Sequence, residues 1–243
     1  MEGGLRLCHL SHSAAMHASE YLNLQRIEET HWYYAGKREF VRGWISRARG
    51  VRPEDRLLDC GAGTGRFASE MASRCDVWVL DDHKEALAML HSRFPAERVL
   101  SLSGDRVPLP DASLEIVTAL DVLEHTPDDA AVVRGFHRLL VPGGIAVVTV
   151  PADKSLWSDW DVSLHHYRRY DRAQLAALFP DESRELVHLN HTNVFVYPAA
   201  WLLRRWRKWF PKRAHAPEGK RAEDRIPPAW LNRKRPVGCL VDR

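Results

Sequence analysis

Cysteine and long apolar runs are both scarce in this chain of 243 residues. The four cysteines, Cys8, Cys60, Cys75 and Cys239, are scattered and never form a CxxC pair, so the sequence predicts neither a disulfide framework nor a metal site. No apolar stretch approaches the roughly 20 residues that a membrane-spanning helix needs. The first residues also lack the pattern of a secretory signal. We therefore expect a cytoplasmic protein that is neither secreted nor integral to a membrane.

A strong excess of one charge is also missing. Lysine and arginine number 35 and aspartate and glutamate number 32, which leaves a formal net charge of +3. This small surplus does not favour nucleic-acid binding by the whole chain, and no nucleic-acid partner is predicted. Hydrophobic residues make up 45% of the sequence, which is enough to bury the core of one α/β domain.

Strand-like apolar runs alternate with helical patterns in the middle of the chain. The strand-like runs are residues 56–60, 77–80, 98–102, 114–120 and 145–150, and apolar residues recur at helical spacing in residues 67–73, 85–91 and 130–140. Continuous apolar strands are typical of a parallel sheet that is covered by helices on both faces. The sequence therefore predicts an α/β fold with a doubly wound, mostly parallel, Rossmann-like sheet.

Further elements are predicted on either side of this region. Helices are expected at residues 20–29 and 37–49, and between them lies the aromatic cluster, which we define as His31, Trp32, Tyr33 and Tyr34. After the fifth strand, a helix with Asp171 as its N-cap is expected at residues 171–179. A sixth strand is expected at residues 184–189.

The first strand ends in Asp59 and enters a turn with glycines at positions 61, 63 and 65. Such glycines allow a tight turn and a close approach of ligand to backbone, and the helix that follows offers unpaired N–H groups. Asp59 would repel a pyrophosphate but suits the positive end of a zwitterionic ligand. The GxGxG spacing also differs from the GxGxxG of dinucleotide-binding proteins. An NAD-linked oxidoreductase therefore stays only as an alternative.

Carboxylates also follow the next two strands. Asp81, with Asp82 as the alternative, follows the second strand, where an acceptor-only side chain suits both hydroxyls of a ribose. Gly104 and Asp105 follow the third strand; Asp105 suits an adenine amino group, and the backbone N–H of Arg106 is expected near the ring. Because the carboxyl ends of parallel strands meet at one sheet edge, these acids predict a single site.

Together these stretches resemble the class I S-adenosylmethionine (SAM)-dependent methyltransferases, and in particular a branch similar to ubiquinone-biosynthesis methyltransferases. The stretches that carry the resemblance are residues 57–65, 81, 104–105, 111–113, 122–125 and 139–144 for the class, and residues 31–38, 156–161 and 166–170 for the branch. The resemblance implies SAM as the methyl donor and S-adenosylhomocysteine as the product. It also implies a seven-stranded sheet, whose antiparallel last strand would be residues 237–241.

The predicted cofactor site is large. It comprises Asp59, Gly61, Ala62, Gly63, Gly65, Asp81, Asp82, Gly104, Asp105, Arg106, Asp121, Val122, Tyr34 and Arg38. The resemblance places the methionyl end of SAM at Asp59 and the glycines, the ribose at Asp81 and the adenine at Asp105. Aromatic ring faces favour a sulfonium cation, so the aromatic cluster is expected to cover the cofactor. Arg38 is expected to reach the methionyl carboxylate.

The predicted acceptor pocket comprises Tyr33, His166, Arg168, Arg169 and Tyr170. These groups suit an anionic or hydroxylated acceptor, but an equally open interpretation is that both arginines pair with acids across a lid. His125, after the fourth strand, is the candidate general base, because imidazole titrates near neutral pH. Its alternative role is to pack or to cap the following helix.

Three regions of one domain are predicted: residues 1–50 as an N-terminal helical cap, residues 51–191 as the SAM-binding core, and residues 192–243 as an insertion rich in Trp and Arg with a short final strand. The segment from Trp201 to Phe210 predicts an amphipathic helix. Its apolar face comprises Leu202, Trp206, Trp209 and Phe210, and its basic face comprises Arg204, Arg207 and Lys208. Such a helix fits a membrane surface, or else it packs on the sheet or on a second copy of the chain.

The sequence thus predicts a SAM-dependent methyltransferase that moves a methyl group to an O, N or C atom of a small-molecule or lipid-linked acceptor. It predicts a cytoplasmic enzyme that is associated with the membrane surface if the amphipathic helix docks there. The alternatives are an NAD-linked oxidoreductase and a non-catalytic protein that binds SAM or docks on membranes. Neither the acceptor nor the oligomeric state is specified by these motifs.

Overall fold

Five parallel strands form the centre of the protein. The computed structural model describes residues 18–102, 106–179, 185–194 and 196–209. Its strands are β1 (Arg56–Cys60), β2 (Asp76–Leu80), β3 (Val99–Leu100), β4 (Leu114–Leu120) and β5 (Leu140–Thr149). They are ordered β3-β2-β1-β4-β5, and each neighbouring pair runs parallel. The prediction of a parallel Rossmann-like sheet is confirmed.

Helices in the described residues alternate with these strands and cover both faces of the sheet. They are α1 (Ala18–Ile27), α2 (Trp32–Ala48), α3 (Arg66–Met71), α4 (Lys84–Arg93), α5 (Asp129–Leu139), α6 (Asp159–Ser163), α7 (Arg172–Ala177) and α8 (Tyr197–Trp209), with short 3₁₀ turns at Ala96–Arg98, Leu123–His125 and Lys154–Leu156. Asp171 caps α7 as predicted, because its carboxylate accepts the Gln174 backbone N–H at 2.8 Å.

The packing of the core explains why the strand sequences are continuously apolar. Neighbouring residues of a strand point to opposite faces, and Leu57 and Leu58 are both fully buried. Leu57 packs with Ile45 of α2 and Leu90 of α4, whereas Leu58 packs with Phe136 of α5 on the other face. Burying one such side chain stabilises the fold by about 1.5–3 kcal/mol. A polar residue on either face would therefore be costly.

The strand order creates a crevice at one edge of the sheet. The chain leaves β1 for β2 and β3 on one side, and it later enters β4 and β5 on the other side. At such a switch point the loops after two neighbouring strands diverge, and ligands of open α/β sheets bind there. The loops concerned are residues 61–65 after β1 and residues 121–125 after β4.

The number of strands is lower than predicted, with five rather than seven in the described residues. Residues 185–189 of the predicted sixth strand have no regular secondary structure, and Leu186 and Val187 are each 58% exposed. Apolar residues suit a strand only where a neighbouring strand and a packed face are present, and the sequence pattern does not report on either. Arg184 and the predicted seventh strand, residues 237–241, lie outside the described residues.

The boundaries of the N-terminal helices also differ from the prediction. Helix α2 begins at Trp32 rather than at residue 37, so most of the aromatic cluster lies in its first turn. His31 is the N-cap residue, and its Nδ1 accepts the Tyr33 backbone N–H at 3.3 Å. Histidine is not among the residues usually preferred at this position, which is why the sequence pattern did not indicate a helix start here.

Helix α8 confirms a helix in the Trp- and Arg-rich segment, and its described side chains include one of the three residues of the predicted basic face. Leu202 and Trp206 are 62% and 59% exposed, as expected for an unpacked apolar face. Arg204, however, turns inward, and its guanidinium donates to the carbonyl of Leu156. The side chains of Arg207, Lys208 and Trp209 and all of Phe210 lie outside the described part of the chain. No helix described is both long and apolar enough to cross a membrane.

Candidate functional site

The glycine turn after β1 is shaped by close packing on one side and by open space on the other. Gly61 and Gly63 have φ values of +69° and +56°, a region that other residues adopt only with strain. A Cβ on Gly61 would lie 2.6 Å from Cγ2 of Val122, whereas a Cβ on Gly63 would meet no heavy atom within 4 Å. Gly61 thus permits the contact between the two switch-point loops, and Gly63 leaves its backbone accessible to a ligand.

Asp81 connects the end of β2 to this turn. Its Oδ2 accepts the Gly63 backbone N–H at 2.9 Å, and its Oδ1 accepts the backbone N–H groups of Asp82 and His83 at 2.9 and 3.0 Å. A carboxylate offers about four acceptor positions, so Oδ2 keeps capacity for a ligand hydroxyl. Hydrogen bonds from His83 to Asp81 and Asp82 raise the pKa of the imidazole to about 10. A protonated His83 therefore balances both acids.

Asp59 lies beneath the turn and is almost completely buried, with 3% of its surface exposed. Its Oδ1 accepts a hydrogen bond from the Thr118 hydroxyl at 2.7 Å. Burial, with the charge of Asp81 as a further contribution, raises the pKa of Asp59 to about 7. The carboxyl is therefore poised to ionise when a cation is placed near it.

Lys37 pairs with Asp121 at the end of β4 and was missed by the sequence analysis. Asp121 has a φ of +59°, and its Oδ1 accepts the Thr149 hydroxyl at 2.9 Å while Oδ2 pairs with Lys37. Burial acts to lower the pKa of Lys37, but the Asp121 carboxylate outweighs it and raises that pKa. Lys37 directly precedes the predicted Arg38 in α2 and belongs to residues 31–38, one of the stretches that carry the branch resemblance, and this position was the available signal.

Arg38 joins the two N-terminal helices to α3, and the aromatic cluster begins α2. Arg38 is buried; its Nε donates to Glu70 Oε1 at 2.9 Å and its Nη1 to the carbonyl of Glu28 at 2.7 Å. These bonds tie α1, α2 and α3 together and engage two nitrogens of the guanidinium that was predicted to meet a methionyl carboxylate. The rings of Tyr33 and Tyr34 meet edge to face at 5.2 Å.

One continuous cleft brings most of the predicted residues together. From the predicted cofactor set it is lined by Asp59, Gly61, Ala62, Gly63, Asp81, Asp82, Asp121, Val122, Tyr34 and Arg38, and from the predicted acceptor set by Tyr33, His166, Arg169 and Tyr170. The candidate base His125 also lines it. Gly65, Arg106 and Arg168 are not part of its lining, and Arg106 is exposed and pairs with Asp111 at 2.7 Å. Gly104 and Asp105 lie outside the described residues.

The predicted acceptor arginines are engaged by acids, as the alternative interpretation expected. Arg168 donates to Asp129 at 2.9 Å, and Arg169 donates to both oxygens of Asp161 at 2.6 and 3.1 Å. The Tyr170 hydroxyl donates to Asp129 at 2.8 Å, and the ring is only 4% exposed. These three side chains therefore hold the segment after β5 against the core.

His125 lies beside a second histidine and a buried acid. The rings of His125 and His166 meet edge to face at 4.7 Å, and His166 Nδ1 lies 3.1 Å from Asp161 Oδ1. Burial, followed by the neighbouring His166, lowers the pKa of His125 to about 4. Burial and the charge of Asp121 raise the pKa of Glu124. The neutral His125 ring thus has a free lone pair at neutral pH.

The fold and the site together define a class: an α/β protein whose switch-point crevice carries a glycine turn between carboxylates. Residues 58–148 match the family model that is described as a methyltransferase domain. This part of the chain is therefore similar to methyltransferase domains.

Two relatives and one solved structure illustrate the similarity. The "Probable S-adenosylmethionine-dependent methyltransferase Rv3030" of Mycobacterium tuberculosis is 31% identical to this chain, over 51% of this chain and 47% of the relative's length. The ubiquinone biosynthesis O-methyltransferase of Acinetobacter baumannii is 31% identical to this chain, over 42% of this chain and 46% of the relative's length. The chain thus spans about half the length of these curated relatives. The solved structure is the phosphoethanolamine N-methyltransferase 2 of Haemonchus contortus in complex with phosphomonomethylethanolamine and S-adenosylhomocysteine. The superposition covers 71% of this chain and 43% of that chain, with 18% sequence identity and a TM-score of 0.54. This similarity shows a shared fold.

Proposed function

We propose that the protein is a SAM-dependent methyltransferase that transfers a methyl group to an O, N or C atom of a small-molecule or lipid-linked acceptor. One observation carries the proposal: Asp59, the open Gly63 backbone and Asp81 meet in the crevice between β1 and β4. Asp59 suits the ammonium of the methionyl group, and Oδ2 of Asp81 retains acceptor capacity for a ribose hydroxyl.

Methyl transfer from a sulfonium is an in-line displacement, so alignment of donor and acceptor is the main task of the protein. Such alignment can contribute about 7 kcal/mol or more. The residues proposed for the acceptor side are Tyr33, His125 and His166, which line the same cleft. A neutral His125 is a candidate to accept a proton from a hydroxyl acceptor.

Calorimetry with SAM, S-adenosylhomocysteine and NAD tests the cofactor. We expect both SAM and its product to bind, and tighter binding of NAD would overturn the proposal in favour of an oxidoreductase. Asp81→Ala should weaken SAM at least about tenfold, since one hydrogen bond to a charged group is worth about 1.5–3 kcal/mol. Asp76→Ala is the matched control, because Asp76 lies at the opposite end of β2 and pairs with Arg98.

Transfer itself is tested with SAM that carries a labelled methyl group. The protein is incubated with aqueous and organic-solvent extracts of small molecules, and the label is followed into each fraction. Label in the organic fraction supports a lipid-linked acceptor, and label in the aqueous fraction supports a soluble one. SAM binding without labelled product in any fraction would instead favour the non-catalytic alternative.

Docking on a membrane surface is a second candidate function, favoured by the exposed apolar face of α8. Leu202 and Trp206 are more than half exposed, and the segment Tyr197–Trp209 contains four basic residues and no acid. Basic helices with exposed tryptophan bind anionic membrane surfaces. Co-sedimentation with anionic vesicles should fall for Trp206→Glu and stay unchanged for Leu22→Glu, which alters an equally exposed residue on α1. Equal losses in both variants would remove this candidate.

A further inference from the structure

A cluster of three metal-ligating side chains lies next to the proposed cofactor residues. One ligand atom each from Glu124, His125 and His166 lies within 4.8 Å of the others. Glu124 and His125 belong to the turn directly after β4, whereas His166 comes from the segment that follows α6. The Tyr167 backbone N–H donates to the Glu124 carbonyl at 2.8 Å, which fixes these two segments against each other.

One carboxylate oxygen of Glu124 in this cluster has no hydrogen-bond partner among the described residues. This oxygen is Oε2, and the Glu124 side chain is 1% exposed. A buried polar atom without a partner costs about 1–3 kcal/mol, and more if it is charged. A bound cation would offset this cost by giving the oxygen a positive partner.

His166 is held in the manner of a metal ligand. Its Nδ1 lies 3.1 Å from Asp161 Oδ1, and Asp161 is itself fully buried and fixed by Arg169 at 2.6 Å. Histidines that bind metals commonly give their other ring N–H to a carboxylate, which orients the ring and fixes the tautomer. This arrangement leaves Nε2 of His166 available for a ligand.

We propose that Glu124, His125 and His166 bind a divalent transition-metal ion. Two imidazole nitrogens and one carboxylate oxygen suit Zn²⁺, Mn²⁺, Fe²⁺ or Co²⁺ better than Mg²⁺, which prefers oxygen ligands. Ligand bonds of about 2.0–2.2 Å place ligand atoms roughly 3–3.5 Å apart, so side-chain rotations that shorten the separations by at most about 1.8 Å complete the site.

The ion would lie on the acceptor side of the proposed cofactor pocket. Val122, two residues before Glu124, packs on the glycine turn at Gly61, so the cluster is adjacent to the methyl donor. Three protein ligands leave positions for an oxygen of the acceptor, as in other open metal sites. An acceptor with a hydroxyl or carboxylate oxygen fits this arrangement. This last inference depends on the proposed function, but metal binding itself does not.

Metal binding is measured on the chelator-treated full chain, without any acceptor. Calorimetry should detect one strong site for Zn²⁺ or Mn²⁺ and weaker binding of Mg²⁺, and Co²⁺ should give visible absorption bands from nitrogen and oxygen ligands. His166→Gln and Glu124→Gln should each abolish the strong site. Asp161→Asn, which removes the orienting partner, should weaken it about 10–100-fold.

His83→Gln is the matched control, because His83 belongs to a second group of possible ligands with Asp81 and Asp82. The strong site should persist in this variant, and its loss there but not in His166→Gln would overturn the proposal. Absence of binding to the unaltered chain would also overturn it. Urea unfolding of each variant shows whether the fold is intact, and SAM affinity of the unaltered chain, measured in parallel, separates failure of the metal site from failure of the proposed cofactor.

Discussion

The buried carboxyl of Asp59 should make stability depend on pH in an unusual direction. Its pKa is about 7 in the folded protein and about 3.9 in an unfolded chain. Between these values the folded state holds a proton that the unfolded state has released. Stability contributed by this group is therefore fully present below about pH 4 and decreases as the pH rises toward 7. A difference of about 3 in pKa corresponds to ~4 kcal/mol as an upper value.

Asp59→Asn isolates this contribution, because asparagine has a similar shape and does not ionise. We expect the variant to resemble the unaltered protein only below about pH 4 and to be more stable by up to ~4 kcal/mol at pH 8. Urea unfolding of both proteins at several pH values, without SAM, gives the difference directly. Thr118→Val, which removes the hydrogen bond to Asp59, should enlarge the difference. A difference that is independent of pH would refute the reasoning.

Four further expectations concern the site and its surroundings. SAM affinity should rise as the pH increases toward 7, because the methionyl ammonium favours ionised Asp59. Calorimetry in two buffers should show that SAM binding releases a proton, and Asp59→Asn should abolish this release. Gly61→Ala should destabilise the protein more than Gly50→Ala, since both have positive φ but only Gly61 lacks space for a Cβ; urea unfolding measures both. Val122→Ala should rescue part of the Gly61→Ala loss by relieving the 2.6 Å contact. Tyr170→Phe should cost about 1–2 kcal/mol in urea unfolding without changing SAM affinity, because its buried hydroxyl serves Asp129.

The parts of the fold that the sequence predicted well are those in which a single physical constraint determines which residue type can occupy a position. Strands β1 and β4 are apolar on both faces because helices cover both faces, so an unbroken apolar run predicts them directly. The glycine turn was equally readable, because Gly61 is confined by its neighbour and few other residues tolerate its φ. Asp81 followed from its position at the end of β2.

The parts that the sequence did not predict depend on partners that are remote in sequence. Residues 185–189 have apolar character, but no local pattern states whether a neighbouring strand will be present. Arg38 was expected to reach the cofactor because arginine suits a carboxylate; that role stays a prediction, but the local sequence does not indicate that Glu70 and the Glu28 carbonyl bind two of its nitrogens. In both cases the local sequence reports what a residue can do, and tertiary packing selects among those possibilities.

The cluster of Glu124, His125 and His166 shows the same limit at the site itself. Cysteine spacing does not indicate this cluster, because two of its ligands are adjacent in sequence and the third follows at a distance that no short motif records. Each residue alone also had an ordinary interpretation, His125 as a base or cap and His166 as part of an acceptor pocket. Only the tertiary structure shows that Asp161 orients one histidine toward the other and that Glu124 has a buried oxygen without a partner among the described residues. If that oxygen binds an ion, His125 is a ligand rather than a free base, so metal binding measured on His125→Gln decides between these two roles for His125.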